Sequence, residues 1–117
     1  MPTYTGGCHC GAVRFEVTGK IEEVEVCNCS ICAKTGYLHW EVDPAVFRLL
    51  TPKASIRNYQ FGSMTSKNLF CERCGISAFR RSRSRPDHVD VNVRCLDGVD
   101  AQALPVAHFD GRSWESL

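Results

Sequence analysis

Cys27-Asn28-Cys29-Ser30-Ile31-Cys32 places three cysteines within six residues. Two pairs, Cys8/Cys10 and Cys71/Cys74, bracket this run at a distance, so seven of the eight cysteines fall into three clusters. Disulfide frameworks rarely group cysteines this way, whereas metal sites commonly do. The spacing therefore predicts a small domain organised around metal. Two pairs would close one structural site, and the triplet would form a second site that is one ligand short.

Composition narrows the classes. At 117 residues the chain is expected to form one domain, 1–117, because a second core has no room. The net charge of +1 gives no global field suited to nucleic acid or a membrane surface. No apolar run approaches the roughly 20 residues of a membrane span. The opening residues, Met1 to Gly7, have neither a basic region nor an apolar signal core, so a cytoplasmic location is expected. In a reducing compartment thiols stay free, and clustered cysteines read as metal-binding or catalytic.

Outward from the triplet the chain reads as short strands. Val13, Phe15 and Val17 alternate with Arg14 and Glu16, which predicts a half-buried strand after Gly6-Gly7-Cys8-His9-Cys10-Gly11. Ile21 to Val26 is a second strand leading into the triplet, with Val24 and Val26 inward. Ala33 to Gly36 reads as a helical turn stopped by Gly36. Further strands are expected over Tyr37 to Val42, Val46 to Leu50, Ile56 to Phe61, Ile76 to Arg80, His88 to Arg94 and Val106 to Phe109. Gly62 to Lys67 is a polar loop, Arg81 to Asp87 a basic one, and Trp114 is expected on the core. No segment holds helical periodicity over ten residues. The fold class is mainly β: about seven or eight short antiparallel strands in small twisted sheets.

Ligand chemistry assigns roles to the clusters. Sulfurs sharing a tetrahedral zinc lie roughly 3.8 Å apart. Side chains at i and i+2 of a flat strand are roughly 6.6 Å apart, so the Cys8/Cys10 segment must bend, and Gly6, Gly7 and Gly11 are expected to supply the bend. Cys71/Cys74, followed by Gly75, is the natural complement in a four-cysteine site. The triplet Cys27, Cys29 and Cys32 can hold one ion locally. Three protein ligands plus an open position is the arrangement of catalytic zinc. A thiol entering that position would lose its proton and become an electron-rich nucleophile. The competing arrangement has Cys95 as fourth ligand, which gives two closed structural sites. His9, His39, His88 and His108 read as surface or core residues rather than ligands.

The layout Gly7-Cys8-His9-Cys10-Gly11-Ala12-Val13-Arg14-Phe15, then Cys27-x-Cys29-Ser30-x-Cys32, then Phe70-Cys71-x-x-Cys74-Gly75, then Asp90-Val91-Asn92-Val93 with Cys95-Leu96-Asp97, resembles the glutathione-dependent formaldehyde-activating family, which includes the centromere protein V type. The resemblance covers roughly residues 4 to 115. It implies a zinc-stabilised, Mss4-like set of small β-sheets with two zinc ions per chain. It implies a structural zinc at Cys8, Cys10, Cys71 and Cys74 and a catalytic zinc at Cys27, Cys29 and Cys32. The implied activity is addition of glutathione to formaldehyde, or in reverse a carbon–sulfur lyase. The implied partners are a small thiol and a small aldehyde.

A donor for the product oxygen would come from near the triplet, where His39 and Tyr37 are nearest in sequence. Lys34, Arg57, Arg80 and Arg81 form the pool of cations for the carboxylates of glutathione. The run Arg80-Arg81-Ser82-Arg83-Ser84-Arg85 lacks interleaved aromatics and reads as a solvated loop rather than a nucleic-acid site. A non-catalytic zinc module and a chromatin-type binder are the alternatives to an enzyme.

Overall fold

The protein is described by a computed structural model covering residues 1–116, with side chains through residue 113. The expected packing of Trp114 lies outside the described side chains. The strands in chain order begin with β1 (Thr3–Gly7), β2 (Arg14–Thr18) and β3 (Val24–Cys27), followed by helix α1 (Ser30–Thr35). They continue with β4 (Leu38–Val42), β5 (Phe47–Leu49), β6 (Ile56–Tyr59), β7 (Asn68–Cys71), β8 (Phe79–Arg80), β9 (Val89–Asn92) and β10 (Val106–Phe109). They form three sheets: β1-β2-β5, β10-β3-β4-β9-β8 and the hairpin β6-β7. The fold is thus mainly β in several small sheets, as the alternating segments predict.

The five-stranded sheet positions the site. Register pairs Val26 with Leu38, Trp40 with Val91, Val42 with Val89 and Phe79 with Val91. With Val24 these side chains make one face, and that face packs into the core with Phe15 and Val17 of β2. Burying each such side chain contributes about 1.5–3 kcal/mol. The period of two then dictates the opposite face. Glu25 and Cys27 of β3, His39 and Glu41 of β4, Asp90 and Asn92 of β9, and Arg80 of β8 share it. Register sets Glu25 against His39, His39 against Asn92, and Glu41 against Asp90 against Arg80. One sheet therefore carries an apolar face that holds the fold and a polar face available for chemistry.

Ten strands form among the described residues, against the seven or eight expected, and the strand expected over Ile76 to Arg80 is confined to Phe79–Arg80. Three further expectations change. The strands are not all antiparallel, because β10 runs parallel to β3, pairing Val106 with Val24 through to Phe109 with Cys27. Parallel neighbours need a long crossover, and almost the whole middle of the chain lies between these two. Next, β1 precedes the first strand expected from the sequence, and Gly6 and Gly7 do not bend the chain. They are extended partners of Phe15 and Arg14. A Cβ on Gly7 would lie 2.1 Å from the Val13 carbonyl oxygen, and one on Gly6 2.5 Å from that of Cys95, so glycine is needed there for close approach. Of the three glycines around the first pair, Gly11 alone has positive φ, at 85°. Finally, β9 is buried on both faces, Asp90 and Asn92 included. The alternation in the sequence marks the core side correctly, but what covers the other side comes from distant segments.

Candidate metal centres and the cleft beside them

The first cluster forms where two tight loops meet. The chain turns after β1, with the Cys8 amide donating to the Val13 carbonyl and the Val13 amide to Cys8 Sγ at 3.3 Å. After β7 it turns again: the Gly75 amide donates to the Cys71 carbonyl, and the Arg73 amide to Cys71 Sγ at 3.4 Å. Sγ atoms of Cys8, Cys10, Cys71 and Cys74 all lie within 4.8 Å of one another. Both Cys8–Cys10 and Cys10–Cys71 are at 3.7 Å, which matches the roughly 3.8 Å edge of a zinc–thiolate tetrahedron. Burial opposes ionisation of Cys74, yet amides of Cys10 and Ile76 and the thiols of Cys8 and Cys71 outweigh it and bring the pKa to about 6. A thiol so easily ionised suits a metal.

The second cluster is built from three different local structures. Cys27 ends β3. Cys29 is the N-cap of α1, its sulfur accepting from the Cys32 amide at 3.4 Å. Cys32 lies in the first turn of α1. The helix thus begins inside the triplet, earlier than the turn read from Ala33 to Gly36, and it ends at Gly36 in left-handed conformation as expected. Sγ atoms of Cys27, Cys29 and Cys32 lie within 4.8 Å of one another. Hydrogen bonds from the Cys27 and Cys32 thiols, with the amides of Cys32 and Ile31, hold the Cys29 pKa far below its ordinary value. The same sharing pushes Cys32 up, with burial adding to it, and Cys27 is raised chiefly by Cys29. Three thiols this close cannot all ionise without a cation among them.

The last stretch of chain closes over this cluster. Gly111 follows β10, and a Cβ there would stand 2.4 Å from Cys27 Sγ, so a side chain at this position would displace the sulfur. Asn28 fastens the stretch, donating to Asp110 and accepting from the Arg112 amide.

Cys95 is not in the triplet group. Its thiol faces the Ser77 carbonyl at 3.8 Å. Burial raises its pKa to about 11, and Cys8 and Cys74 add to the rise, which places it by the other cluster. Among the described residues the triplet group has three members.

The polar sheet face continues from the triplet as a buried network. His39 Nε2 lies 3.3 Å from Cys32 Sγ, and His39 Nδ1 donates to Asp90 Oδ2 at 2.5 Å. Arg80 Nη1 lies 3.3 Å from the same oxygen. Arg80 also donates from Nε and Nη2 to Asn68 Oδ1, and its guanidinium stands 5.7 Å above the Tyr37 ring. A buried carboxyl group left without partners costs several kcal/mol, and His39 and Arg80 supply Asp90 Oδ2 with two. Its second oxygen, Oδ1, has no hydrogen-bond partner among the described residues. Tyr37 donates to the Asp90 carbonyl oxygen, and burial raises its pKa well above the ordinary phenol.

A cleft of about 470 Å³ opens over the triplet. Glu25, His39 and Glu41 line it from the sheet, Phe109 and Gly111 from the closing stretch, and Phe61, Gly62, Ser63, Thr65 and Ser66 from the β6–β7 turn. Tyr37 lines a separate cavity of about 290 Å³ on the far side of Cys32. Of the two donors nearest in sequence, only His39 reaches the cleft.

The cation pool sorts similarly. Arg57 pairs with Glu72, and Lys34 and Arg81 do not line the cleft, whereas Arg80 and Arg83 do. Arginines of the basic run are engaged within the fold: Arg81 with the His88 carbonyl, Arg83 with the Gly111 carbonyl at 3.1 Å, Arg85 with Glu41. No helix among the described residues is long and apolar enough to cross a membrane. The sequence missed Asp90 as a site residue. The motif Asp90-Val91-Asn92-Val93 was the available signal, since acidic and amide groups alternating with valine on a central strand need buried partners.

Fold and site together define a small β-protein with two cysteine groups able to hold metal, one of four sulfurs and one of three beside a cleft. Residues 3–111 match the model of the glutathione-dependent formaldehyde-activating enzyme family, and the chain belongs to that family. It is also similar to a Rhodobacter sphaeroides protein of known crystal structure, with 33% identity over 88% of this chain and 99% of that one and a TM-score of 0.79.

Proposed function

We propose that the protein is a zinc-dependent carbon–sulfur lyase that joins a small thiol, most simply glutathione, to formaldehyde or a small aldehyde, and also runs the reverse. The observation carrying this reading is the three-sulfur group opening into a cleft, beside a four-sulfur group that is complete in itself. Cys8, Cys10, Cys71 and Cys74 would hold a structural zinc, and Cys27, Cys29 and Cys32 the second. The triplet zinc would supply an open position at which a thiol is held as thiolate.

The remaining roles fall to the chain. The cleft has the size of a small-molecule site. Phe61, Phe109 and Ile31 give it apolar wall, which excludes water from the aldehyde. Arg83 lies where it can meet a carboxylate of the thiol substrate, and Ser63, Thr65 and Ser66 offer hydroxyls. In the forward direction a bond forms between sulfur and the aldehyde carbon. The carbonyl π pair moves to oxygen, which takes a proton, and the thiol gives one up. The uncatalysed addition is already feasible, so holding both reactants together supplies much of the acceleration.

Cobalt substitution tests thiol entry. Glutathione added to the dicobalt protein is expected to raise the thiolate-to-metal charge-transfer intensity by one ligand in seven, saturably, and not in a variant lacking the triplet. Unchanged spectra at millimolar glutathione would favour the closed, non-catalytic module.

A further inference from the structure

Resting on the reading of the triplet as a zinc site, we propose that His39 is its fourth ligand at rest, bound through Nε2 and displaced by the incoming thiol. The sequence marks His39 only as one of two possible proton donors near the triplet; its surroundings point to ligation. His39 is buried, 6% exposed, on the polar face of the central sheet, one strand over from Cys27.

The tautomer follows from the partner. Asp90 is 1% exposed, and its Oδ2 lies 2.5 Å from His39 Nδ1. A carboxylate accepts, so Nδ1 carries the proton of this pair, and the neutral ring then has its lone pair at Nε2. That lone pair faces the metal cluster, with Nε2 3.3 Å from Cys32 Sγ. Sulfur and nitrogen sharing a tetrahedral zinc stand roughly 3.5 Å apart. A carboxylate behind the distal nitrogen is also the usual support of a metal-bound histidine, fixing ring and tautomer. Arg80 and Asn68 secure Asp90 in turn. The mutually close donor group contains the three sulfurs and not Nε2, so ligation requires the ring to approach Cys27 and Cys29 from its place beside Cys32.

Such a ligand explains why an open site could sit in a cleft without collecting stray donors. Imidazole neutral at Nε2 adds no charge to a centre that already carries three thiolates, and a thiolate can replace it. The displaced ring stays beside the reacting atoms, still held by Asp90.

X-ray absorption at the zinc edge of the fully loaded protein tests this without any turnover. With one four-sulfur site and one of three sulfurs and a nitrogen, the average is about 3.5 sulfurs and 0.5 nitrogens per zinc, with the outer-shell scattering of imidazole. Saturating glutathione should remove that scattering and move the average to about four sulfurs. His39→Ala should lack it from the start and bind the second zinc at least about tenfold more weakly. Two zincs per chain with no imidazole scattering in the unsubstituted protein would overturn the proposal and leave the triplet site standing. One zinc per chain would overturn both. Because the decisive spectrum is that of the unsubstituted protein, poor folding of the variant does not blunt the test.

Discussion

Cys71→Ser is expected to release one of two zincs and to unfold the protein at temperatures the parent tolerates. Cys71 is 1% exposed, sits within 3.7 Å of Cys10 Sγ, and ends the strand that the Arg73 and Gly75 amides fold back upon. The cluster ties residues near the N-terminus to the middle of the chain, a long loop whose closure entropy the metal offsets. Structural zinc binding is itself folding free energy in small domains. Loss of such a metal belongs with the largest single-residue effects, more than about 4 kcal/mol. For a chain of this size that is a fall in Tm of roughly 15 °C or more. Calorimetry with metal analysis decides. Cys95→Ser is the control: it should keep both zincs, because its thiol faces the Ser77 carbonyl and joins neither group. If Cys71→Ser keeps two zincs and the parent Tm, the four-sulfur site is wrong.

Cys29→Ser is expected to do the opposite: to spare the fold and abolish activity. Cys27, Cys29 and Cys32 are local in sequence, so their metal closes only short loops and adds little to global stability. The serine hydroxyl can still cap α1 by accepting from the Cys32 amide. It does not ionise to replace a thiolate. Zinc content should fall from two to one with Tm changed by only a few degrees. Acceleration of thiol–aldehyde exchange should fall by at least roughly a thousandfold, the scale of losing prepositioned reactants. Full activity in this variant would move the chemistry away from the triplet.

Particular residues show how far the sequence could be read. The cysteine clusters and the Val13/Phe15/Val17 alternation were legible because both signals are local: ligand spacing in one case, the period of a strand in the other. Pairing Cys8/Cys10 with Cys71/Cys74 needed only a count of ligands. What escaped was set by contacts between distant segments. Gly6 and Gly7 look like a bend, and only the approach of the Cys95 and Val13 carbonyls shows that they must be extended and bare. The parallel placing of β10 depends on where a long crossover returns. The basic run looks like one feature, yet Arg80 points inward to Asp90 while Arg83 reaches Gly111. His39 and Asp90 are far apart in sequence, and no spacing rule joins them. Their relation exists only once β4 and β9 pair.

The central claim is that the triplet beside the cleft makes and breaks a carbon–sulfur bond. Exchange NMR on a mixture of glutathione and formaldehyde measures this directly, by following magnetisation between free thiol and hydroxymethyl adduct. The zinc-loaded protein should raise the exchange rate in proportion to its concentration, saturably in glutathione, and Cys29→Ser should return it to the rate without protein. An exchange rate identical with and without the zinc-loaded protein, for glutathione and for other small thiols, would contradict the claim.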